Sequence, residues 1–526
     1  MFFVLAGLAV IPYPGIQNDE ALFAAGIYAP LTVHSIQVFH RPVAMMLMSY
    51  LGTLKAWLYT PVFALWSPSV YSLRVPVLLL GAVTIWLFYL LILQIMDRRA
   101  AVAGCALLAT DPAYLYTTCF DWGPVVLQHL LGVGGALLLV RFHRTSSRLS
   151  LGAGFFLFGL ALWDKALFGW TLIGMTVALV CTCPGAIRRA FTLKNLLVAA
   201  LCFSAGAFPL LRFNARNHWE TLRANVGWSA DPQVLRGKSL MLRSTLDSGG
   251  LLGYLSFEDS AEGGRAPRTA LEKASVWLDN STGRLRNGWL SYAALVALLL
   301  LPFVWGTPAR RPMLFSLILV AVVWGQMLFG VNVGASVHHL VLLWPWPHLF
   351  IAAAFAGLSY RLKRFGVPVL AIVVALLCGR SVLASNVQFS QLIRNGGSLS
   401  WTDAIYSLSS YLPTVPAQHY VILDWGMTEP LRLLHANHLP IEWGTDPIMK
   451  DPMNDEDKRR FLAMIEAPDS LFISHTNSDE VFAGVNERRD RALEALGYRR
   501  EVVRVVQDSH GRAAFEVFRA VKSPTR

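Results

Sequence analysis

The feature that most limits how this chain can fold is a succession of apolar runs, several close to the roughly 20 residues an α-helix needs to cross a bilayer. In order they fall near 2–16, 73–96, 100–119, 122–140, 149–165, 166–183, 195–212, 289–306, 313–331, 338–358 and 367–385. The expected fold is a polytopic α-helical membrane protein with about 11 transmembrane helices. Composition agrees, with 55% hydrophobic and only 15% charged residues and a mean hydropathy of +0.47. Average soluble chains are about 25% charged. A cytosolic enzyme and an ordinary nucleic-acid binder are excluded.

The net charge of +12 is unevenly spread. Residues 386–526 hold 16 basic and 19 acidic side chains, whereas residues 1–385 hold 29 basic and 14 acidic. The excess belongs to the membrane part, where loop topology accounts for it without nucleic acid. Alternate short loops carry Arg98 and Arg99; Arg141, Arg144 and Arg148; Arg188, Arg189 and Lys194; Arg310 and Arg311; and Arg361, Lys363 and Arg364. The positive-inside rule makes these loops cytoplasmic. With the N-terminus also inside and an odd number of crossings, the C-terminal part falls outside. The first run lacks a basic flank and is interrupted by Pro12 and Pro14, so it is either short and partly interfacial or the true start precedes Met1. It has no charged n-region or cleavage site of the kind a signal peptide needs.

This topology divides the chain into a membrane domain, 1–385, with outer loops 17–72 and 213–288, and an extracytoplasmic domain, 386–526. The first outer loop suits helices lying along the membrane surface. The C-terminal part alternates strand-like runs (HYVILDW, SLFISH, REVVRVVQD, AAFEVFRA) with helical ones (EPLRLLHANH, KRRFLAMIEA, RDRALEALG), which indicates a small α/β domain. The six cysteines lie in or beside apolar runs and form no disulfide framework or zinc spacing.

Of the acids in residues 1–385, those outside the 213–288 loop are Asp19, Glu20, Asp97, Asp111, Asp121 and Asp164. All but Asp97 map to the outer ends of spans or to the first outer loop. An acid at membrane depth costs about 3 kcal/mol unless paired or hydrated, so the cluster marks a water-accessible cavity. Arg41, Lys55, Arg74, Lys165, Arg212 and Arg216, with His34, His40, His338 and His339, converge on the same level. Carboxylates beside fixed cations suit a reaction in which an acid takes a proton from an acceptor hydroxyl while cations stabilise a departing phosphate.

Several segments here resemble the polyprenol-dependent membrane glycosyltransferases of the GT-C superfamily, in the branch (glycosyltransferase family 39) of protein O-mannosyltransferases and lipid A aminoarabinose transferases. Asn18-Asp19-Glu20 stands where that branch carries an acidic pair. SLRVPVLLLGAVTIWLFYLL is similar to its second span, TDPAYLYTTCFDWGPVVL to the segment between its third and fourth, and GLALWDKALFG to its Gly-Leu-Ala-x-x-x-Lys turn. VHHLVLLWPWP echoes its late proline-bearing span. The chain departs from the pattern at His40-Arg41-Pro42, where the family often has Lys-Pro-Pro or His-Pro-Pro.

The resemblance implies an inverting enzyme that moves a hexosyl or pentosyl group from a polyprenyl-phosphate donor to a lipid, glycan or protein hydroxyl on the outer face. It makes Asp19 the base, with Glu20 and Asp121 as further catalytic candidates. Arg74, Lys165, His338, His339, Arg41 and Lys55 become candidates for the donor phosphate. No cofactor and no divalent metal are expected, and a bacterial inner membrane is the expected setting.

Plainer readings exist for each residue. Asp19 and Glu20 suit a helix N-terminus, where acids favour the dipole, and Asp121 could cap the fourth span. Arg74 could reach lipid headgroups, Lys165 could pair with Asp164, and the histidines could be interfacial. As a different function, a transporter or flippase could use the same carboxylates, but such proteins place their sites near the midplane of repeated halves, a pattern not evident here.

Overall fold

Capping side chains and prolines cut the apolar runs into helices of unequal length. The computed structural model describes all residues except 29–33, 226, 258–263, 332, 451 and 524–526. Helix α1 (Phe2–Val10) ends before Pro12, and α2 (Asn18–Ala25) opens on a reciprocal capping box between Gln17 and Glu20. Strands β1 (His34–Val38), β2 (Arg41–Met48) and β3 (Leu51–Gly52) form an antiparallel sheet before α3 (Leu54–Leu65).

The bundle continues through α4 (Val70–Ile95), α5 (Arg98–Thr110), α6 (Pro112–Cys119), α7 (Val126–Thr145), α8 (Arg148–Asp164), α9 (Phe168–Thr182), α10 (Pro184–Ala190), α11 (Leu193–Gly206) and α12 (Phe208–Arg216). The second outer loop is largely helical: α13 (Glu220–Asn225), α14 (Pro232–Leu246), α15 (Leu252–Leu255) and α16 (Ala270–Ser281). After it come α17 (Leu290–Leu299), α18 (Leu301–Val304), α19 (Arg310–Phe329), α20 (Val337–Leu340), α21 (Trp346–Arg361) and α22 (Gly366–Asn395).

Among the described residues, four helices are long and apolar enough to cross a membrane alone, and up to seven crossings result if each bent pair is one span. The bends are 107° between α9 and α10, 74° between α11 and α12, and 45° before α21. The runs expected as spans at 2–16, 100–119 and 289–306 are shorter or broken, whereas the run at 149–165 forms the single 17-residue helix α8. The break between α5 and α6 has a local cause: Asp111 accepts the Tyr114 N–H at 2.7 Å, and Pro112 cannot donate to the preceding turn. Helices α8 and α11 cross at glycines; a Cβ on Gly159 would stand 2.2 Å from the Phe203 carbonyl oxygen, and one on Gly206 2.3 Å from that of Phe156. Only small residues permit so close an approach between helices in lipid.

The first outer loop differs from the expected surface helices. Its middle is the β1–β3 sheet, tied down by Trp163 Nε1 donating to the Met45 carbonyl at 2.8 Å and by Thr53 Oγ1 donating to Ala44 at 2.8 Å. Residues that read as one apolar helical stretch find their backbone partners across a hairpin, a long-range choice that periodicity does not report.

Helix α22 passes unbroken through Ser385, where the domain boundary is expected, and ends at Gly396 with φ +72°. Beyond it lie α23 (Ala404–Tyr411), β4 (His419–Ile422), α24 (Thr428–Leu434), β5 (Ile441–Trp443), α25 (Asp455–Glu466), β6 (Ser470–His475), α26 (Val485–Ala495), β7 (Tyr498–Gln507) and β8 (Ala513–Lys522). The sheet order is β5-β4-β6-β8-β7, with β4 parallel to β5 and β6, and β8 antiparallel to its neighbours. Alternation puts Tyr420 and Ile422 against α23 and α24, and Val421 and Phe472 against α25 and α26. This unit packs on the bundle: α24 lies against α2, and the Gly15 N–H donates to the Trp401 carbonyl at 2.6 Å.

Candidate active site

The two acids of α2 are adjacent in sequence and have different surroundings. Glu20, 1% exposed, takes Arg74 Nε at 3.0 Å and Nη2 at 2.5 Å, and accepts the Gln17 N–H at 2.8 Å. Arg74 spends its remaining donors on the carbonyls of Ile11 at 2.6 Å, Pro14 at 2.9 Å and Gly15 at 2.7 Å, and its guanidinium lies over the Phe120 ring. All five guanidinium N–H groups are thus used. Arg74 is expected from sequence to hold the donor phosphate and Glu20 to share in catalysis; instead they lock the irregular segment 11–17 onto α4. The physical reason is that 11–17 leaves backbone carbonyls without helical partners, and a buried arginine supplies them.

Asp19 has a different environment. It is partly buried and makes no ion pair among the described residues. Desolvation raises its pKa above the ordinary aspartate value, while Asn18 and Lys165 oppose the rise. A carboxylate near a cation yet not neutralised by direct contact can accept a proton.

Asp121 has φ +41° and 1% exposure; one carboxylate oxygen accepts the N–H groups of Val125 at 3.1 Å and Val126 at 3.0 Å. The other pairs with Lys55 Nζ at 2.8 Å. Asp121 is therefore both the cap of α7 and one side of a dry ion pair. Lys55 also reaches the Glu20 carbonyl at 3.4 Å and sits over the Phe23 and Tyr59 rings. Lys165, 3% exposed, donates to the Gly123 carbonyl at 2.6 Å and feels Asp164, Asp121 and Asp19 electrostatically. The plainer reading, an ion pair of Asp164 with Lys165, is not formed among the described residues; Gln128 Nε2 donates to Asp164 at 2.8 Å.

His338 joins this group. Its ring lies 5.0 Å from that of Trp122 and 4.3 Å from that of His339, and Ser336 Oγ lies 3.1 Å from its Nδ1. Gly123, at φ +78°, makes room: a Cβ there would come within 2.6 Å of the His338 ring. Trp122 also meets Tyr254 of the second outer loop at 5.4 Å and Trp401 at 5.9 Å. Arg41 stays out of the cluster, exposed at the β1–β2 hairpin, while His34 packs on Phe213.

Sequence reasoning missed Gln128, Trp122 and Tyr50. Gln128 carried a signal, being a polar side chain in an apolar span. Tyr50 lies in the turn between β2 and β3, where its carbonyl accepts the Ala166 N–H at 2.9 Å; burial and the neighbouring Asp19 raise its phenol pKa. Nothing local distinguished Tyr50. A further buried pair, His348 Nε2 with Asp111 Oδ2 at 3.2 Å, joins α21 to the α5–α6 break.

The helices make this an integral membrane protein, and its fold is shared with the solved structures named next. Residues 52–208 match the family model described as dolichyl-phosphate-mannose-protein mannosyltransferase. The solved structure of ArnT from Cupriavidus metallidurans is similar in the apo state, with a TM-score of 0.57 at 13% identity over 98% of this chain and 96% of that one. The same protein bound to undecaprenyl phosphate matches with a TM-score of 0.55 at 13% identity, over 98% and 97% of the two chains. The Archaeoglobus fulgidus oligosaccharyltransferase in the apo form matches with a TM-score of 0.51 at 14% identity, over 99% of this chain and 74% of that one. The search of curated sequences found no match. These likenesses favour the transferase architecture over the transporter alternative.

Proposed function

We infer that this protein is a polyprenyl-phosphate-dependent glycosyltransferase that transfers a hexosyl or pentosyl group, with inversion, to an acceptor hydroxyl at the extracytoplasmic face of a bacterial inner membrane. The acceptor is a lipid, glycan or protein. The supporting observation is the unequal environment of the two α2 acids: Glu20 is consumed by Arg74, while Asp19, near Lys165, makes no ion pair among the described residues. Asp19 takes the proton of the acceptor hydroxyl as its oxygen attacks the anomeric carbon. The bond from that carbon to the phosphate oxygen breaks, and the polyprenyl phosphate leaves with the electron pair.

Lys165 is the cation best suited to the departing phosphate, because one of its donors goes to Gly123 and no ion pair occupies the others among the described residues. His338, packed on Trp122, and the adjoining His339 complete the phosphate group. The Lys55–Asp121 pair ties α3 to the start of α7 beside this group. The C-terminal unit, resting on α2 and Trp122, shapes the acceptor side. A monophosphate donor needs no metal to leave when fixed cations meet its charge.

The test is transfer by purified protein, with polyprenyl-phosphate mannose and polyprenyl-phosphate aminoarabinose as donors and cell-envelope lipid and glycan fractions as acceptors. Asp19→Asn should lower transfer about 100-fold or more, the scale of general-base catalysis, with donor binding retained. A normally melting Asp19→Asn protein that works at the wild-type rate removes Asp19 from the mechanism. Chelation by EDTA should leave the rate unchanged.

A further inference from the structure

We propose that the chain holds an anionic phospholipid in a second site, at the end of the bundle opposite the candidate active site. Helix α7 spans the distance: Asp121 precedes its start, and Arg144 lies in its last turn, 20 helical residues or about 30 Å away. At the Arg144 end a cavity of about 690 Å³ opens between α4, α7, α8, α9, α11, α19 and α21. That volume lies within the roughly 300–1,000 Å³ of small-molecule sites. Its floor reaches the buried Phe158 and Leu349, and its rim carries His143, Arg144 and Arg311. None of the lining residues is Asp or Glu.

Two observations point to a lipid with a negative headgroup. First, α10 turns 107° from α9, lends the half-buried Ala186, Ile187 and Ala190 to the cavity lining, and fully buries none of its residues. An apolar helix face beside an apolar cavity needs a hydrocarbon cover. Secondly, Arg144 and Arg311 are exposed and enter no ion pair among the described residues. Basic pockets between transmembrane helices suit anionic headgroups of the leaflet they face. The phosphate sits between Arg144 and Arg311 with one acyl chain in the cavity, and α10 lies over the chain.

Native mass spectrometry of the full chain in detergent, with added phosphatidylglycerol or phosphatidylcholine of the same acyl chains, tests this site independently of any transfer activity. The wild type should retain phosphatidylglycerol at least tenfold better. The double variant Arg144→Gln, Arg311→Gln should bind both lipids equally and weakly, and Ala199→Trp, which fills the cavity, should lose both. Melting in detergent shows whether each variant is folded, and the wild-type preference stands as a readout if one is not. Equal retention of the two lipids by wild type overturns the proposal. So does displacement of bound phosphatidylglycerol by undecaprenyl phosphate at equimolar amounts, which would make the cavity a seat for the carrier chain.

Discussion

The two ends of the helical bundle solve opposite problems. At the Asp19 end, charges are drawn inside and neutralised in pairs: Glu20 with Arg74, and Asp121 with Lys55. At the Arg144 end, charges stay outside and the interior is left as an apolar cavity. A buried ion pair is weak evidence for stability, because desolvation offsets its attraction, yet removing one partner leaves an uncompensated charge. The pairs at the first end therefore fix geometry more than they add stability. What they fix is the first outer loop, which carries Asp19, the acid of α2 that makes no ion pair among the described residues.

The largest effect expected from this contrast is on folding. Arg74→Met leaves Glu20 buried without its partner and three carbonyls without donors, and should cost about 3–5 kcal/mol, read as a lowered melting temperature in detergent. Arg74→Lys should rescue poorly, because an ammonium cannot reproduce the two-point fork. A variant that melts like wild type while failing to bind donor would return Arg74 to the phosphate.

Next is the separation of Glu20 from Asp19. Glu20→Gln should lower stability and activity together, whereas the activity loss in Asp19→Asn should come without a change in melting. If both substitutions behave alike, the distinction between the two acids fails. Asp121→Asn should be milder, weakening the Lys55 pair and the α7 cap by about 2 kcal/mol and impairing acceptor use as well as rate.

The smallest effect is on the pH profile. Because burial raises the Asp19 pKa, the base is protonated and inactive below that value and becomes competent as pH rises through it. The acidic limb of kcat/KM should therefore lie above the ordinary aspartate range. Asp19→Asn should abolish that limb, and a limb that persists assigns it to another group.

Much of the C-terminal unit was legible locally. The runs around 419–422, 470–475, 498–507 and 513–522 are strands and those around 428–434, 455–466 and 485–495 are helices, as alternation and helical periodicity indicate. β5, with three residues, is too short to register. Within the bundle, the capping of α7 by Asp121 followed from Gly123 and Pro124 behind it, whereas the capping of α6 by Asp111 emerged only in the structure. The hairpin of the first outer loop was not legible, because its apolar residues satisfy a helical pattern equally well and only pairing with α8 decides between them. The reach of α22 past Ser385 was hidden for a related reason: polar residues such as Gln388, Gln391 and Asn395 end the apolar run, yet they are buried, and Gln388 and Asn395 donate to Ser256 and Phe257 of the second outer loop.

Sequence alone determined that the chain is a multi-span helical membrane protein, that its acids gather at one end and its basic loops at the other, and that Asp19 stands in an acidic pair. These follow from transfer free energies, which act residue by residue and can be read in one dimension. Which acid of the pair is free, which cation is spent on backbone carbonyls, and where an apolar cavity remains were decided only in the folded molecule. Those outcomes depend on partners tens to hundreds of residues away, such as Arg74 for Glu20, Lys55 for Asp121 and His348 for Asp111. The strength of each contact depends on exclusion of water, which no single stretch of chain can provide.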